Sequence, residues 1–399
     1  MIRPYSIYCH IPFCTRRCGY CDFTSYAGLE ELIPAYRRAL MREFEQLAEA
    51  AGFQIPVHTI YFGGGTPSLL AVTDYEAILH ALLLLFCVTI DCEISLEANP
   101  GTVNKSYLAD LRRLGINRLS LGAQSAQENE LRLLERQHTW SEVRQIVEWS
   151  RQAGFENVNL DFIYGLPGQS LESWEGTLRE AIILRPEHLS LYSLTLEPGT
   201  RLLGKVKRGL YPTPDPDVAA DMYESASNLF EKAGYIQYEI SNWAVSPGAK
   251  PLSPVSNPSY ACRHNLQYWQ NDPYLGFGAG AHGFPGKERT ANIRSAKVYV
   301  ERCLDGQVRT FPRTPATVKV TAIDQKTEIA ETMMLGLRLT RQGVSDQAFY
   351  DRFSLHLAEY FDRPITKFTT NGLLEWLDGH LRLTKRGRLL GNQVFVEFI

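Results

Sequence analysis

Six short apolar runs separated by amphipathic stretches constrain this chain more than any other feature. The runs cover residues 6–11, 58–62, 92–97, 118–122, 157–163 and 188–195. Strands that alternate with helices are joined by crossovers and therefore lie parallel. The stretches between them carry helical signals. Tyr36, Leu40, Phe44 and Leu47 recur at helical spacing, with Pro34 suited to a first turn and Gly52 to a C-cap. Leu108, Leu111 and Leu114 form a second face ended by Gly115. Val143, Ile146 and Val147 form a third, which Ser141 can cap and Gly154 ends. A doubly wound sheet and a β/α barrel both satisfy this alternation.

The polar residues separate the two. Nearly every run ends in a special group: Cys14 and its neighbours, Gly63-Gly64-Gly65-Thr66, Glu97, Gln124, Asp161 and Glu197. Functional groups at the C-terminal ends of many strands point to a barrel mouth, where all ends converge. Six units rather than eight predict an α/β fold built on a partial (β/α)6 TIM-type barrel. After Thr200 the alternation weakens. Residues 217–234 read as a helix, 238–243 as a further strand, 244–260 as a Pro- and Ser-rich loop, and 276–283 as a Gly-rich run. The C-terminal part reads as a smaller α+β, winged-helix-like unit, in which 373–374, 381–383 and 394–398 supply a helix followed by a short hairpin. The expected organisation is a barrel over 1–240, a connecting segment over 241–315 and a small domain over 316–399.

The chain has 399 residues, enough for a large core and two domains. A formal net charge of −3 argues against a general nucleic-acid-binding surface. The most apolar stretch, 78–90, is interrupted by His80 and is too short to span a bilayer. It reads as a buried helix running into a strand. No secretory leader is visible in residues 1–12, and the eight cysteines do not read as a disulfide framework. A cytoplasmic location is expected.

Three of those cysteines, Cys14, Cys18 and Cys21, stand together after the first run. Three thiolates can hold three corners of a [4Fe–4S] cluster, which ordinarily takes four cysteines. The remaining iron is then open to a small molecule. A structural zinc site is the rival reading, but such sites are usually four-coordinate. Cys9 lies inside the strand and points away from His10. The Gly63–Thr66 turn can bring a ligand close to the backbone or be a tight strand-to-helix turn. Glu97, Gln124, Arg136 and Asp161 can bind the ribose, amino and carboxylate groups of a nucleoside–amino-acid ligand, or can cap helices and pair on the surface. His264, in Cys262-Arg-His-Asn-Leu-Gln-Tyr-Trp269, is either an axial haem ligand or a histidine packed on aromatics.

These segments carry a family resemblance. Cys14-x3-Cys18-x2-Cys21, with an aromatic before the third cysteine, is similar to the signature of radical S-adenosylmethionine (SAM) enzymes. Phe62-Gly-Gly-Gly-Thr-Pro-Ser68, Glu97-Ala-Asn-Pro100, Leu121-Gly-Ala-Gln-Ser125, Asp161-Phe-Ile-Tyr-Gly-Leu-Pro167, Tyr238-Glu-Ile-Ser-Asn242 and His264-Asn-x-x-Tyr-Trp269 follow in order. The set resembles the oxygen-independent coproporphyrinogen III oxidase family, and within it the HemW branch of haem chaperones. Phe23 stands where the true oxidases carry a further cysteine. The resemblance implies that Cys14, Cys18 and Cys21 hold a [4Fe–4S] cluster. It implies that Tyr8, Tyr20, Gly63, Gly64, Gly65, Thr66, Glu97, Gln124, Arg136 and Asp161 surround SAM, and that His264 contacts haem carried as cargo for an apo-haemoprotein. The alternative it leaves is a coproporphyrinogen III dehydrogenase; a radical SAM enzyme with an unrelated substrate is a third reading. The chain departs from the pattern at Glu135, where Gly is usual, and at Ala279 and Gly283, where Pro and Ser are common.

Overall fold

The computed structural model describes residues 3–248 and 252–399. Part of the expected 244–260 loop, residues 249–251, lies outside them. The chain forms two compact units. The first holds the chain up to Pro186 together with Leu191–Met222 and Pro273–Ala322. The second holds Glu187–Ser190, Tyr223–Asp272 and Ile323–Ile399. These divisions differ from the expected 1–240, 241–315 and 316–399: residues 241–315 are shared between the units instead of forming a connecting segment.

All six expected strands are present: β1 (Tyr5–Ile11), β2 (Pro56–Gly64), β3 (Cys87–Ala98), β4 (Arg118–Gln124), β5 (Val158–Tyr164) and β6 (His188–Ser193). They neighbour one another in chain order, and β1 to β5 pair parallel. This is the partial barrel. A seventh strand, Tyr274–Phe277, pairs parallel with β1 on its outer edge and runs into the stretch read only as Gly-rich. Its glycines serve close packing. A side chain on Gly276 would run into the His282 carbonyl, and one on Gly278 would lie 2.5 Å from the His10 carbonyl oxygen.

The helix Ile33–Ala51 buries Tyr36, Leu40, Phe44 and Leu47 as expected, and Gly52 ends it in the left-handed conformation. The helix Trp140–Gln152 is capped by Thr139, not Ser141. Thr139 Oγ1 accepts from the Glu142 backbone N–H at 3.3 Å, and Glu142 returns a carboxylate to the Thr139 N–H at 2.7 Å. That reciprocal pairing satisfies two end donors at once, which Ser141 cannot do. The 78–90 stretch is a helix (Val72–Leu85) running into β3, but Leu83, Leu84 and Ile90 are exposed.

In the second unit, His188–Ser190 pairs antiparallel with Asn242–Ala244, which pairs antiparallel with Ile236–Glu239. The single strand expected over 238–243 is thus a tight hairpin that reverses at Ile240-Ser241. The C-terminal part has a helix, Asp362–Thr370, followed by the hairpin Leu374–Leu377 and His380–Leu383, with Val344–Ser345 added to its edge. Asp378 and Gly379 both have positive φ (48° and 75°), the conformation that a two-residue hairpin turn demands. Residues 394–398 are helical instead of strand-forming, because Val394, Phe395 and Phe398 bury one helical face. Leu337, Leu357, Leu381 and Leu383 share that core.

One buried acid ties the outer edge of the barrel together. Glu43 accepts from the Gly278 N–H (2.9 Å), Tyr299 Oη (2.7 Å), Asn292 Nδ2 (2.8 Å) and Thr314 Oγ1 (2.8 Å). Burial raises its pKa, and these four donors oppose the rise. Removing it strands four donors in the core. Glu43→Ala is expected to cost roughly 3–5 kcal/mol, read as a lowered urea midpoint, while Leu83→Ala on the exposed face leaves the midpoint nearly unchanged.

Candidate functional site

The strand ends of the first unit enclose a cavity of about 410 Å³. β1 leads into the cysteine loop, which is closed by Phe13–Cys14 pairing with Tyr26–Ala27 and by the Tyr26 N–H donating to the Pro12 carbonyl at 2.7 Å. Cys14, Cys18 and Cys21 all line the cavity. Among the described residues no three His, Cys, Asp or Glu side chains converge on a point that would hold a single ion.

β2 delivers the glycine turn opposite them. The Gly65 N–H donates to the Ile11 carbonyl (2.9 Å), the Thr66 N–H to the Phe13 carbonyl (2.7 Å), and Thr66 Oγ1 lies 3.5 Å from Cys14 Sγ. A Cβ on Gly65 would sit 2.7 Å from the Phe13 carbonyl oxygen and 3.0 Å from Cys14 Sγ, so only glycine fits there. Gly64 and Thr66 line the cavity as well.

Two carboxylates come from β3 and β5. Glu97 accepts from Tyr61 Oη (2.9 Å) and from the Gly64 N–H (3.1 Å). Burial, and then the charge of Asp161, push its pKa up to about 7, against the pull of those two donors and Arg118. Asp161 accepts from Ser120 Oγ and Asn159 Nδ2, both at 2.9 Å. In the register of the sheet Glu97 stands across from Ser120, and Ser120 from Asn159, which lines these groups up across three strands.

β4 ends irregularly. Its register slips between Leu121 and Gln124, and Gln124 takes φ 66°, a strained value for a non-glycine residue. The slip turns Gln124 into the cavity wall. Arg136 crosses the site: Nη2 donates to Asn99 Oδ1 (2.8 Å) and the Gly122 carbonyl (2.9 Å), and Nη1 approaches Cys18 Sγ (3.5 Å). Its buried Nε has no hydrogen-bond partner in the fold. Burial opposes its charge, but Tyr20 and Cys18 outweigh that and hold its pKa above the ordinary value. Burial raises the Tyr20 phenol far above its ordinary value. Burial also raises the Cys21 thiol, and Cys18 and Cys14 add to the rise against the Phe23 backbone N–H.

The structure therefore gathers Cys14, Cys18, Cys21, Tyr20, Gly64, Gly65, Thr66, Glu97, Gln124, Arg136 and Asp161 round one space. Tyr8 and Gly63 stand behind the wall instead. Tyr8 Oη lies 2.9 Å from His10 Nδ1, whose Nε2 donates to the Thr24 carbonyl at 2.8 Å, so Tyr8 braces the loop through His10. His264 belongs to the second unit. It is 2% exposed, on the helix Arg263–Trp269, with Nε2 2.9 Å from Tyr268 Oη. Sequence reasoning missed Tyr61, Ser120 and Asn159, whose hydroxyl and amide groups carry the two carboxylates. The one local signal was Asn159, two residues before Asp161 and so on the same face of its strand; Tyr61 and Ser120 reach their acids across the sheet.

Glu135, the departure from the family pattern, keeps the left-handed conformation that glycine would adopt (φ 57°). Its carboxylate bonds Arg201 Nη2 (2.5 Å) and Lys205 Nζ (2.8 Å), with Arg16 Nη2 at 3.7 Å. Arg201 also donates to the Arg17 carbonyl, and the Leu202 N–H to the Gly19 carbonyl at 2.8 Å. Arg201 and then Lys205 hold the Glu135 carboxyl below the usual range. The cysteine loop is thus clamped on the helix Arg201–Lys207. Glu135→Asn keeps a residue tolerant of this conformation but removes the clamp. Alkylation of Cys18 and Cys21 by iodoacetamide in the apoprotein is expected to speed up about tenfold, read by mass spectrometry, with no change at buried Cys303.

The Radical SAM superfamily profile matches residues 8–181, and the HemN C-terminal domain profile matches residues 323–390. The chain is 35% identical to the haem chaperone HemW of Bacillus subtilis over 99% of both chains. It is 40% identical to HemW of Escherichia coli over 76% of this chain and 78% of that one. Among solved structures, the coproporphyrinogen III oxidase HemN of Escherichia coli superposes with a TM-score of 0.82 at 24% identity, covering 100% of this chain and 90% of that one.

Proposed function

The chain belongs to the HemW family of radical SAM proteins, and on that premise we propose that it is a haem chaperone, which binds a [4Fe–4S] cluster, SAM and haem and delivers haem to apo-haemoproteins. The observation that carries the reading is the cavity of the first unit, whose lining has three thiols, not four, beside two buried carboxylates and a glycine turn.

Those residues suit the groups. Cys14, Cys18 and Cys21 would each ligate one iron, and three thiols suit a cluster with one iron left over better than a four-coordinate structural zinc ion. When bound, such a cluster supplies single-electron chemistry to SAM at its open iron. The Gly64–Thr66 turn commits its N–H groups to Glu97, Ile11 and Phe13, so its part is steric, and Gly65 keeps the wall beside Cys14 open. Glu97 and Asp161 supply negative charge for the cationic groups of SAM. Gln124 and Tyr20 complete the wall. Arg136 neutralises thiolate charge at Cys18, and its unused Nε–H is a donor in reserve.

Phe23 favours the chaperone over the decarboxylating alternative. It lines the cavity yet is 64% exposed, an apolar ring at the rim where the oxidases carry a thiol. His264 is the proposed haem contact in the second unit. The recipient is an apo-haemoprotein, and the cytosol is the proposed compartment. Among the described residues no helix is long and apolar enough to cross a membrane.

Three measurements test this. Haem titrated into the anaerobically reconstituted protein is expected to saturate with a Soret band, and His264→Ala to weaken binding about tenfold or more. Formation of protoporphyrinogen from coproporphyrinogen III, SAM and a reductant would overturn the chaperone reading. The third concerns pH. A cation beside Glu97 favours its carboxylate form, and that form is populated above about 7 in the free protein. SAM affinity is therefore expected to rise from pH 6 to pH 8 and level off above, by calorimetry, and Glu97→Gln to flatten the profile.

A further inference from the structure

The second unit contains a cavity of about 410 Å³ that the haem and SAM reading does not use. Four cations line it: Arg341, Arg382, Lys385 and Arg388. The lining carboxylates are two, Glu224 and Glu231, and Tyr223 and Trp243 form part of the wall. The cations are only partly answered by the fold. Arg341 donates to the Ser256 and Ser253 carbonyls, both at 2.7 Å, which are neutral acceptors. Arg382 pairs with Glu375 at 2.9 Å, and Lys385 with Glu231 at 2.9 Å on the exposed rim. Arg388 donates from Nη1 to the neutral amide oxygen of Gln237 (2.7 Å), and its buried Nε has no partner. Gln237 is itself fixed by donating to Tyr223 Oη (2.6 Å) and the Ile240 carbonyl (2.9 Å), so the guanidinium is held in one place.

The crowding of like charge is visible in the groups themselves. Burial and then Arg382 lower the Arg341 pKa; burial lowers that of Arg388, with Arg382 adding to the effect. Guanidiniums fixed round a concave, partly apolar space, with fewer carboxylates than cations, form a seat for an anion.

We propose that this cavity binds a compact small-molecule polyanion, whose phosphate or carboxylate oxygens are gripped by Arg388, Arg382 and Lys385 against the Tyr223 and Trp243 wall. Phosphate and carboxylate offer guanidinium the same paired oxygens, so the two sources are separated by the ligands used.

The test is calorimetric titration of the full-length protein with inorganic pyrophosphate and, separately, with citrate, at fixed ionic strength against a chloride blank. Saturable binding is expected for one or both. Pyrophosphate alone assigns a phosphate ligand, citrate alone a polycarboxylate, and both a general polyanion seat. Arg388→Met is expected to weaken binding about tenfold or more, the range for a charge-assisted hydrogen bond, and rim-exposed Lys385→Gln about threefold. Should Arg388→Met fail to fold by circular dichroism, Lys385→Gln and Arg382→Gln decide. Absence of saturable binding for both anions, or an affinity unchanged in the folded variants, overturns the proposal.

Discussion

The hydrogen-bond ladder between the first two strands does not stop where the strands stop, and the site depends on that continuation. Cys9, His10 and Ile11 pair in register with Phe62, Gly63 and Gly64. The next two bonds, Gly65 N–H to Ile11 and Thr66 N–H to Phe13, carry the register past the pleated strands. Cys14 is thereby set against the glycine turn by backbone geometry, not by side-chain packing. Backbone donors and acceptors must be satisfied when buried, so a shift of either strand would orphan these groups as well as misplace the thiol. The Gly65 position has no room for a Cβ for the same reason.

Charge round the cavity follows from how the barrel buries it. Asp161 accepts from Ser120 and Asn159, and Glu97 from Tyr61 and the Gly64 N–H, all neutral donors, while the Arg118 charge acts on Glu97 as well. Neutral donors compensate a buried carboxylate less fully than a cation does. Glu97, nearest a second negative group, is left near half ionisation at neutral pH. The cation Arg136 is spent on the opposite wall, between Asn99, the Gly122 carbonyl and Cys18. The space is thus negative on the carboxylate side and compensated on the thiol side, an asymmetry suited to a ligand with a cationic end.

Much of this was legible in the chain because it is written locally. The six strands, the helix caps at Gly52 and Gly115, and the residues at strand ends follow from periodicity and from residue types that one conformation or one chemistry favours. What escaped depends on partners distant in sequence. Ser120 looks like an ordinary strand residue until the register sets its strand beside the one that carries Asp161. Glycines at 276 and 278 read only as part of a Gly-rich run, since the backbones they pack against, at His282 and His10, are distant in sequence or unmarked by any local pattern. The hairpin within 238–243 was hidden because Tyr238 and Trp243 are apolar and buried on either side of a two-residue reversal. The division of residues 241–315 between two units is a property of contacts, which no local pattern records.

The His264 segment combines a fixed part with an exchangeable one. Trp269, at the end of its helix, lies under the Arg338 guanidinium, 4.5 Å from its centre, and Arg338 in turn pulls down the pKa of buried Glu239, which burial raises to about 7. Asn242 donates to the same carboxyl. These contacts anchor the helix through its last residue. His264 is held by a different link, the bond between its Nε2 and the Tyr268 hydroxyl one helical turn on. A bond of that kind contributes about 1 kcal/mol net, far less than displacing Trp269 from Arg338 and the core would cost. That side-chain link is therefore weaker than the anchoring of Trp269, and the backbone that carries the histidine stays in place when it breaks. The ring is buried, and its direction is set by the short helix that carries both His264 and Tyr268.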